Sequence, residues 1–124
     1  MSVKPAKKKL LIADDEPTIR LMVRRVFEGE YVVIEAKNGK EAVDLALHRT
    51  PDIILMDMMM PETDGLTALN TIRTNKRASS IPVIMLTGAG YELNEVLARN
   101  LGAKAYLRKP VTPQELLDTV SKII

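Results

Sequence analysis

Four short apolar runs each end in a polar residue able to do chemistry, and that recurrence restricts the fold more than any other feature of the chain. Leu10 to Ala13 runs into Asp14-Asp15, Ile53 to Met56 into Asp57, Val83 to Leu86 into Thr87, and Ala105 to Leu107 into Arg108-Lys109. Each run has the length of a strand, and Pro61, four residues after Asp57, stops any helix from continuing through the second. Near-continuous apolar strands suit a sheet covered on both faces, because a one-sided sheet would alternate. If the strands are parallel neighbours, their polar ends gather along one edge of the sheet, in the crevice outside the carboxyl ends where open α/β sheets bind ligands.

Helical signals separate the runs. Pro17 suits a first helical position, and Ile19, Met22, Val23, Val26 and Phe27 fall on one face before Gly29. Tyr31 to Ala36 reads as a further strand, Asn38-Gly39 as a turn, and Ala42, Val43, Ala46 and Leu47 as the next apolar stripe. Leu66, Leu69 and Ile72 predict a third helix after the loop from Pro61 to Gly65, and residues 92 to 100 a fourth, closed by Gly102. Thr112 and Glu115 have capping-box spacing around Pro113 and open a last helix that buries Leu116, Leu117, Val120 and Ile123 or Ile124. With strands at 8–13, 31–36, 53–56, 83–86 and 104–107, five βα units follow one another without repeat or linker. The expected fold is α/β: one domain over residues 8–124, a doubly wound five-stranded parallel sheet in the flavodoxin-like order 2-1-3-4-5, preceded by a basic tail at 1–7. That order sets the first strand beside the third, and so Asp14-Asp15 beside Asp57.

Composition sets outer bounds. A chain of 124 residues, 46% hydrophobic, supports one core and is too short for two. No apolar run approaches the ~20 residues of a membrane span, and the basic N-terminus leads to an acidic pair rather than a cleavage site, so a soluble cytoplasmic protein without membrane attachment is expected. There is no cysteine and a single histidine, His48, which excludes a disulfide framework and a thiolate or histidine-cluster metal site. Any metal must use oxygen ligands. His48, near the end of the second helix, is read as an ordinary helix-end histidine and not as a phosphodonor. The net charge of +2 comes from Lys4, Lys7, Lys8 and Lys9; without these four, 14 basic residues face 16 acidic ones, a net of −2. The tail is expected to be solvated, with no direct binding of nucleic acid by this domain.

Two readings of Asp14-Asp15 stand at this point: caps for the first helix, or members of a site. Three carboxylates in one crevice repel, by roughly 1 to 4 kcal/mol per pair at ~4 Å. Lys109 supplies one compensating charge, and a hard divalent ion would supply the rest. Magnesium, which favours one or two carboxylates, several waters and a phosphate, fits best. The four methionines among residues 56 to 60 are read as core and loop filling, since no cysteine or histidine joins them. Gly88-Ala89-Gly90 lacks the spacing and lysine of a phosphate-binding loop and reads as a turn beside Thr87.

Asp14-Asp15, Asp57 with Pro61 four residues on, Gly65, Thr87 and Lys109-Pro110 together closely resemble the receiver domain of two-component response regulators, the CheY-like modules, over residues 8 to 124. The resemblance implies that Asp57 accepts a phosphoryl group from a sensor histidine kinase or phosphotransfer protein. It implies Mg2+ held by Asp15, by Asp14 directly or through water, by Asp57 and by the main-chain carbonyl of Met59. Lys109 would pair with one phosphoryl oxygen, Thr87 would hydrogen-bond another, and Lys109-Pro110 would be cis. A carboxylate nucleophile and charge neutralisation by a metal and a lysine are what in-line phosphoryl transfer requires.

The same resemblance implies a switch, in which Thr87 moves toward the phosphoryl group and Tyr106 turns inward. The output face would be built from the fourth helix, fifth strand and last helix, include Tyr91, Leu93, Lys104 and Tyr106, and bind a downstream target protein, the molecule being a monomer or a phosphorylation-linked dimer. Such a module is not an enzyme toward other substrates and catalyses only its own phosphorylation and dephosphorylation. One rival is a phosphohydrolase of haloacid-dehalogenase type, which also has an aspartate after a central strand. Those enzymes carry a second aspartate two residues later as general acid; here that residue is Met59, which cannot move a proton. A phosphorylation-independent interaction module is a weaker reading, because every acceptor-site residue is present. The chain stops one helix after Lys109, so it is expected to be a stand-alone regulator or a part cut from a larger one. Finally, the positions two residues after Asp57 and two after Thr87, Met59 and Ala89, cannot hold a hydrolytic water, which predicts a slowly self-dephosphorylating receiver.

Overall fold

Five parallel strands alternate with five helices in the computed structural model, which describes residues 6–88 and 92–124, the side chains of Glu92 and Leu93 excepted. Ala89, Gly90, Tyr91, the Leu93 side chain and residues 1–5 of the tail, on which parts of the sequence reading rest, lie outside the described residues. The elements run β1 (Lys8–Ala13), α1 (Pro17–Phe27), β2 (Tyr31–Ala36), α2 (Gly39–Arg49), β3 (Ile53–Asp57), α3 (Gly65–Thr74), β4 (Val83–Thr87), α4 (Glu92–Asn100), β5 (Ala105–Arg108) and α5 (Pro113–Ile123). The sheet order is β2-β1-β3-β4-β5, as the alternation predicts.

Strand residues alternate between two cores, since successive side chains leave a strand on opposite faces. Leu10, Ile12, Ile53, Leu55, Ile84 and Leu86 pack with Val23 and Phe27 of α1 and with Leu116 and Val120 of α5. Leu11, Ala13, Ile54, Met56 and Met85 face the other way, onto Ala42 and Ala46 of α2, Leu69 and Ile72 of α3, and Ala98 of α4. Every residue of β3 and β4 is buried, which accounts for the unbroken apolar runs that lead to Asp57 and Thr87. Met58 and Met60 join Met56 in the second core, so three of the four clustered methionines are packing residues.

Local chemistry fixes the helix starts. The Asn38 side chain accepts the Glu41 N–H at 2.8 Å, and that of Asp64 accepts the Thr67 N–H at 2.9 Å. Thr112 and Glu115 form the expected capping box, at 3.1 and 3.2 Å, with Pro113 opening α5. Asn38-Gly39 is thus a cap and a first helical residue where the sequence suggested a free turn. Gly39 is required there because a Cβ would collide with the carbonyl oxygen of Thr63. Three strand ends also lie one residue beyond the predicted ones. Asp57 and Thr87 belong to β3 and β4, and β5 runs 105–108 instead of 104–107, because the ladder continues to Asp57↔Leu86 and Thr87↔Arg108 after hydrophobicity has stopped.

This register positions the site. Ala13 pairs with Met56, so Asp14 lies level with Asp57, and Lys109 follows directly on the Arg108 that pairs with Thr87. All the polar strand ends therefore meet at one edge of the sheet.

Candidate functional site

Asp14, Asp57 and Thr87 are the buried polar residues among those described, and each stands at the carboxyl end of a central strand. Lys109 reaches across to them: its Nζ lies 3.0 Å from Asp14 Oδ2 and 3.2 Å from Asp57 Oδ1. Asp15 is exposed, yet Asp14, Asp15 and Asp57 each bring a carboxylate oxygen within 4.8 Å of the others. An open cleft of about 270 Å³ is lined by Asp15, Glu16, Asp57, Met59, Gly88 and Lys109.

The loop from β1 to α1 holds Asp14 in place. Its Oδ1 accepts the Glu16 N–H at 2.9 Å, and its carbonyl accepts Arg20 Nη1 at 2.7 Å. Arg20 and Arg24 are in turn tied to Glu35 at 3.1 and 2.8 Å, and the hydrogen bond from Arg24 first of all holds the Glu35 carboxyl below its usual range. The helix cap is Glu16, and it makes no side-chain cap bond. The reading of Asp14-Asp15 as caps is therefore not realised, and the pair is grouped with Asp57 instead, Asp14 buried and Asp15 lining the cleft.

Electrostatics at the site are unbalanced. Burial, and then the charge of Asp14, raises the pKa of Asp57 from 3.8 to about 7, against the opposing pull of Lys109 and of the Met59 main-chain N–H. Burial by itself would lower the Lys109 pKa, but Asp14 and then Asp57 hold it above the ordinary lysine value. Asp14 Oδ2 meets Lys109 at ion-pair distance without hydrogen-bond geometry, and among the described residues no other donor reaches this buried oxygen. A buried carboxylate oxygen left so, in a group of three carboxylates facing one ammonium, fits a hard divalent cation with oxygen ligands. Asp14, Asp15 and Asp57 are the residues that could hold it.

The remaining predicted residues fall around this centre. Lys109-Pro110 is cis, as expected. Met59 lines the cleft with its side chain 52% exposed, unlike the methionines around it. The Thr87 hydroxyl donates to the Gly88 carbonyl at 3.2 Å and so points along its own loop. Tyr106 sits apart, on the edge strand β5 opposite Met85, partly buried against the core that α2, α3 and α4 cover. His48 is exposed on α2, its Nδ1 2.7 Å from the Asp44 carbonyl oxygen, with no part in the cleft.

Sequence reasoning missed Glu16. Its Oε1 is 3.4 Å from Lys109 Nζ, and it lines the cleft. The available signal is the unbroken acidic run Asp14-Asp15-Glu16, of which only the first two members stand out by the pattern of strand ends. Gly65 also has a structural duty in the site, since a Cβ there would strike the Asp57 carbonyl oxygen.

Comparison with known proteins agrees with this geometry. The family model for the response regulator receiver domain matches residues 10–121. The transcriptional regulatory protein ResD of Bacillus subtilis is 40% identical over 117 residues, which are 94% of this chain and 48% of ResD, so the chain spans about half the length of that relative. The chemotaxis protein CheY4 of Vibrio cholerae superposes with a TM-score of 0.88 at 30% identity, covering 96% of this chain and all of CheY4. The receiver domain of the sensor histidine kinase PA1611 from Pseudomonas aeruginosa, solved with a magnesium ion coordinated in its active site cleft, superposes with a TM-score of 0.85 at 27% identity, covering 94% of this chain and 97% of that one. Among the described residues no helix is long and apolar enough to cross a membrane. The chain belongs to the response regulator receiver domain family, the phosphoryl-accepting signalling modules of two-component systems.

Proposed function

We propose that Asp57 is the phosphoacceptor of this receiver and that Asp14, Asp15 and the Met59 carbonyl, together with Asp57, hold the magnesium ion that the reaction uses. The observation that carries this reading is the shared contact of Lys109 with Asp57 and Asp14 at the wall of an open cleft. A carboxylate oxygen of Asp57 attacks phosphorus. The donor's phosphorus–nitrogen bond, or its phosphorus–oxygen bond in a small acyl phosphate, breaks, and the electron pair leaves with the donor. Lys109 places a fixed positive charge beside the transferred oxygens, and Thr87 offers them a hydroxyl. Bound at the three carboxylates, the divalent ion would supply Lewis-acid neutralisation of the phosphoryl charge.

The donor in this reading is a sensor histidine kinase or phosphotransfer protein of the cytoplasm. The chain catalyses only its own phosphorylation and dephosphorylation. The signal leaves through the face formed by α4, β5 and α5: Val96 and Leu97 of α4 and Leu117 of α5 are exposed apolar side chains, Tyr106 lies on β5, and Lys104 comes just before that strand. A target protein docks there, as a shift of population between two states biased by charge at Asp57. The hydrolase alternative gains no support, because the residue it needs as a general acid is the thioether Met59.

The test is labelling by acetyl phosphate with magnesium present. Wild type should acquire one acid-labile phosphoryl group, and Asp57→Asn none. Label persisting on Asp57→Asn would overturn the assignment.

A further inference from the structure

Lys109 has three N–H donors, and three carboxylates surround it: Asp14 at 3.0 Å, Asp57 at 3.2 Å and Glu16 at 3.4 Å. Glu16 accepts a hydrogen bond from this ammonium, and Asp14 and Asp57 meet it at ion-pair distance. An incoming phosphoryl oxygen therefore meets an ammonium already crowded by three carboxylates. The three are not equally held. The side chains of Asp14 and Asp57 are 0% and 6% exposed, whereas that of Glu16 is 55% exposed and returns to water without burying a charge. The Glu16 backbone, by contrast, is fixed. Its N–H donates to Asp14 Oδ1, and its carbonyl accepts from Ile19 and Arg20 at 3.2 and 3.3 Å. Only the side chain needs to move.

We infer that Glu16 is a displaceable placeholder, which occupies the Lys109 ammonium at the wall of the cleft in the unphosphorylated protein and competes with the phosphoryl group for it. The inference rests on Asp57 being the phosphoacceptor with Lys109 as its partner. Glu16 acts against phosphoryl binding in two ways. It hydrogen-bonds to the ammonium that the phosphoryl oxygen would pair with, and its negative charge lines the cleft that the anion enters. It is a positioning residue acting through Lys109, and it sets how readily the site is charged.

Beryllofluoride, a tetrahedral anion that mimics the phosphoryl group on a carboxylate, separates these roles when titrated at saturating magnesium into wild type, Glu16→Gln and Glu16→Ala. An exposed ion pair of this kind corresponds to about a two- to fivefold change in affinity, so both variants should bind beryllofluoride about two- to fivefold more tightly than wild type. Magnesium affinity, measured without beryllofluoride, should move the opposite way or stay unchanged, because removing a negative charge weakens attraction for a cation. A gain for the anion with no gain for the cation is what a merely structural role would not produce. Beryllofluoride affinity equal to or weaker than wild type in both variants would overturn the inference. So would a loss of magnesium affinity greater than about tenfold, which would make Glu16 a metal ligand. A wild-type protein that binds no beryllofluoride would instead overturn the assignment of the phosphoryl site itself, and this inference with it.

Discussion

Gly65 lies so close to Asp57 that a single added Cβ would collide with the Asp57 carbonyl oxygen. The Gly65 N–H also donates to the Met58 carbonyl at 2.9 Å, so the chain leaving β3 folds back onto the acceptor's own backbone before α3 begins. Gly65→Ala must therefore displace either the strand end or the helix start, and overpacking of this kind costs roughly 1–3 kcal/mol. The expected outcome is a lower urea midpoint together with slower acetyl phosphate labelling of the protein that remains folded, since the atom pushed belongs to Asp57. Gly29 provides the control, because a Cβ there meets nothing within 4 Å. Gly29→Ala should shift stability by less than about 1 kcal/mol and leave labelling unchanged. Equal behaviour of the two variants would show that the close approach at Gly65 does not position the acceptor.

Burial and the neighbouring Asp14 give Asp57 a pH signature in the metal-free protein. The group ionises near 3.8 in the ordinary case and near 7 in the fold, so the native state keeps the proton over the range between. Stability falls wherever the native state binds more protons than the unfolded chain. The Asp57 contribution is accordingly most favourable below about pH 4, declines as the pH rises toward 7, and is flat beyond. Asp57→Asn, which cannot ionise, should be the more stable protein at pH 8 in chelator and lose that advantage toward pH 4. At ~1.36 kcal/mol per unit the difference is of order 2–4 kcal/mol. Chemical denaturation of both proteins at pH 4, 6 and 8 measures it, and a gap that does not narrow toward pH 4 would refute the cause.

Magnesium should narrow that gap. An ion bound only by the native state adds RT ln(1 + [L]/Kd), about 2.7 kcal/mol at roughly 100 times Kd. Wild type should melt higher in millimolar magnesium, and Asp57→Asn should gain less, having lost one ligand. Because the ion requires an ionised Asp57, its affinity should strengthen as pH rises through about 7, with a proton released on binding. An equal magnesium shift in both proteins would remove Asp57 from the ligand set.

What could be read from the sequence, and what could not, divides along the boundary between local and tertiary causes. Strand runs such as Ile53 to Met56 declare themselves because β3 is buried on both faces, and Thr112-Pro113 with Glu115 declares a helix start because the capping box is complete within four residues. The strand ends at Asp57 and Thr87 were placed one residue early because the ladder outlasts the apolar pattern that reveals it. Whether Asp14 caps a helix or faces a cleft is undecidable locally, since both roles put a carboxylate just before Pro17. The deciding contact is Lys109, 95 residues away. Glu16 is hard to read for the same reason, as the contact that separates it from an ordinary residue before a helix is with that lysine, 93 residues along the chain. Gly39 read as a turn because Thr63, the neighbour that forbids a side chain there, lies on another loop.

Thr87 should couple the site to the output face. Its hydroxyl now donates to the Gly88 carbonyl, and the same residue pairs with Arg108, two positions beyond Tyr106. Phosphorylation of Asp57 would draw the hydroxyl off Gly88 and change what β5 packs against. Thr87→Ala should still be labelled, with a rate loss of less than about tenfold, the scale of one hydrogen bond. The amide chemical-shift changes that phosphorylation causes at residues 104 to 108 should largely disappear, and Thr87→Ser should restore them. Undiminished shifts in Thr87→Ala would show that the signal reaches Tyr106 by another route.

How long the signal lasts should depend on Met59. Hydrolysis of the acyl phosphate requires a water aligned opposite the bond to Asp57, and a polar side chain near the acceptor could hold it there. Met59 lines the cleft, half exposed, and its thioether is at best a weak acceptor. It can neither orient a water nor take its proton. Ala89, the second residue implicated by sequence, lies outside the described residues, so Met59 alone carries the test. Because Met59 lies in a loop with its side chain toward solvent, Met59→Asn and Met59→Glu should fold like wild type, with stability changed by less than about 0.5 kcal/mol. Each should shorten the life of the phosphorylated protein, by about tenfold if the gain corresponds to one well-placed hydrogen bond. The measurement is the decay of phosphorylated protein after the donor is removed. Met59→Leu belongs in the same experiment, because it keeps an apolar side chain and should decay at the wild-type rate. Equal decay in Met59→Asn, Met59→Glu and Met59→Leu would show that water positioning at this residue does not set the lifetime. Faster decay in all three, the apolar leucine included, would likewise show that a water-holding polar group is not what shortens the lifetime.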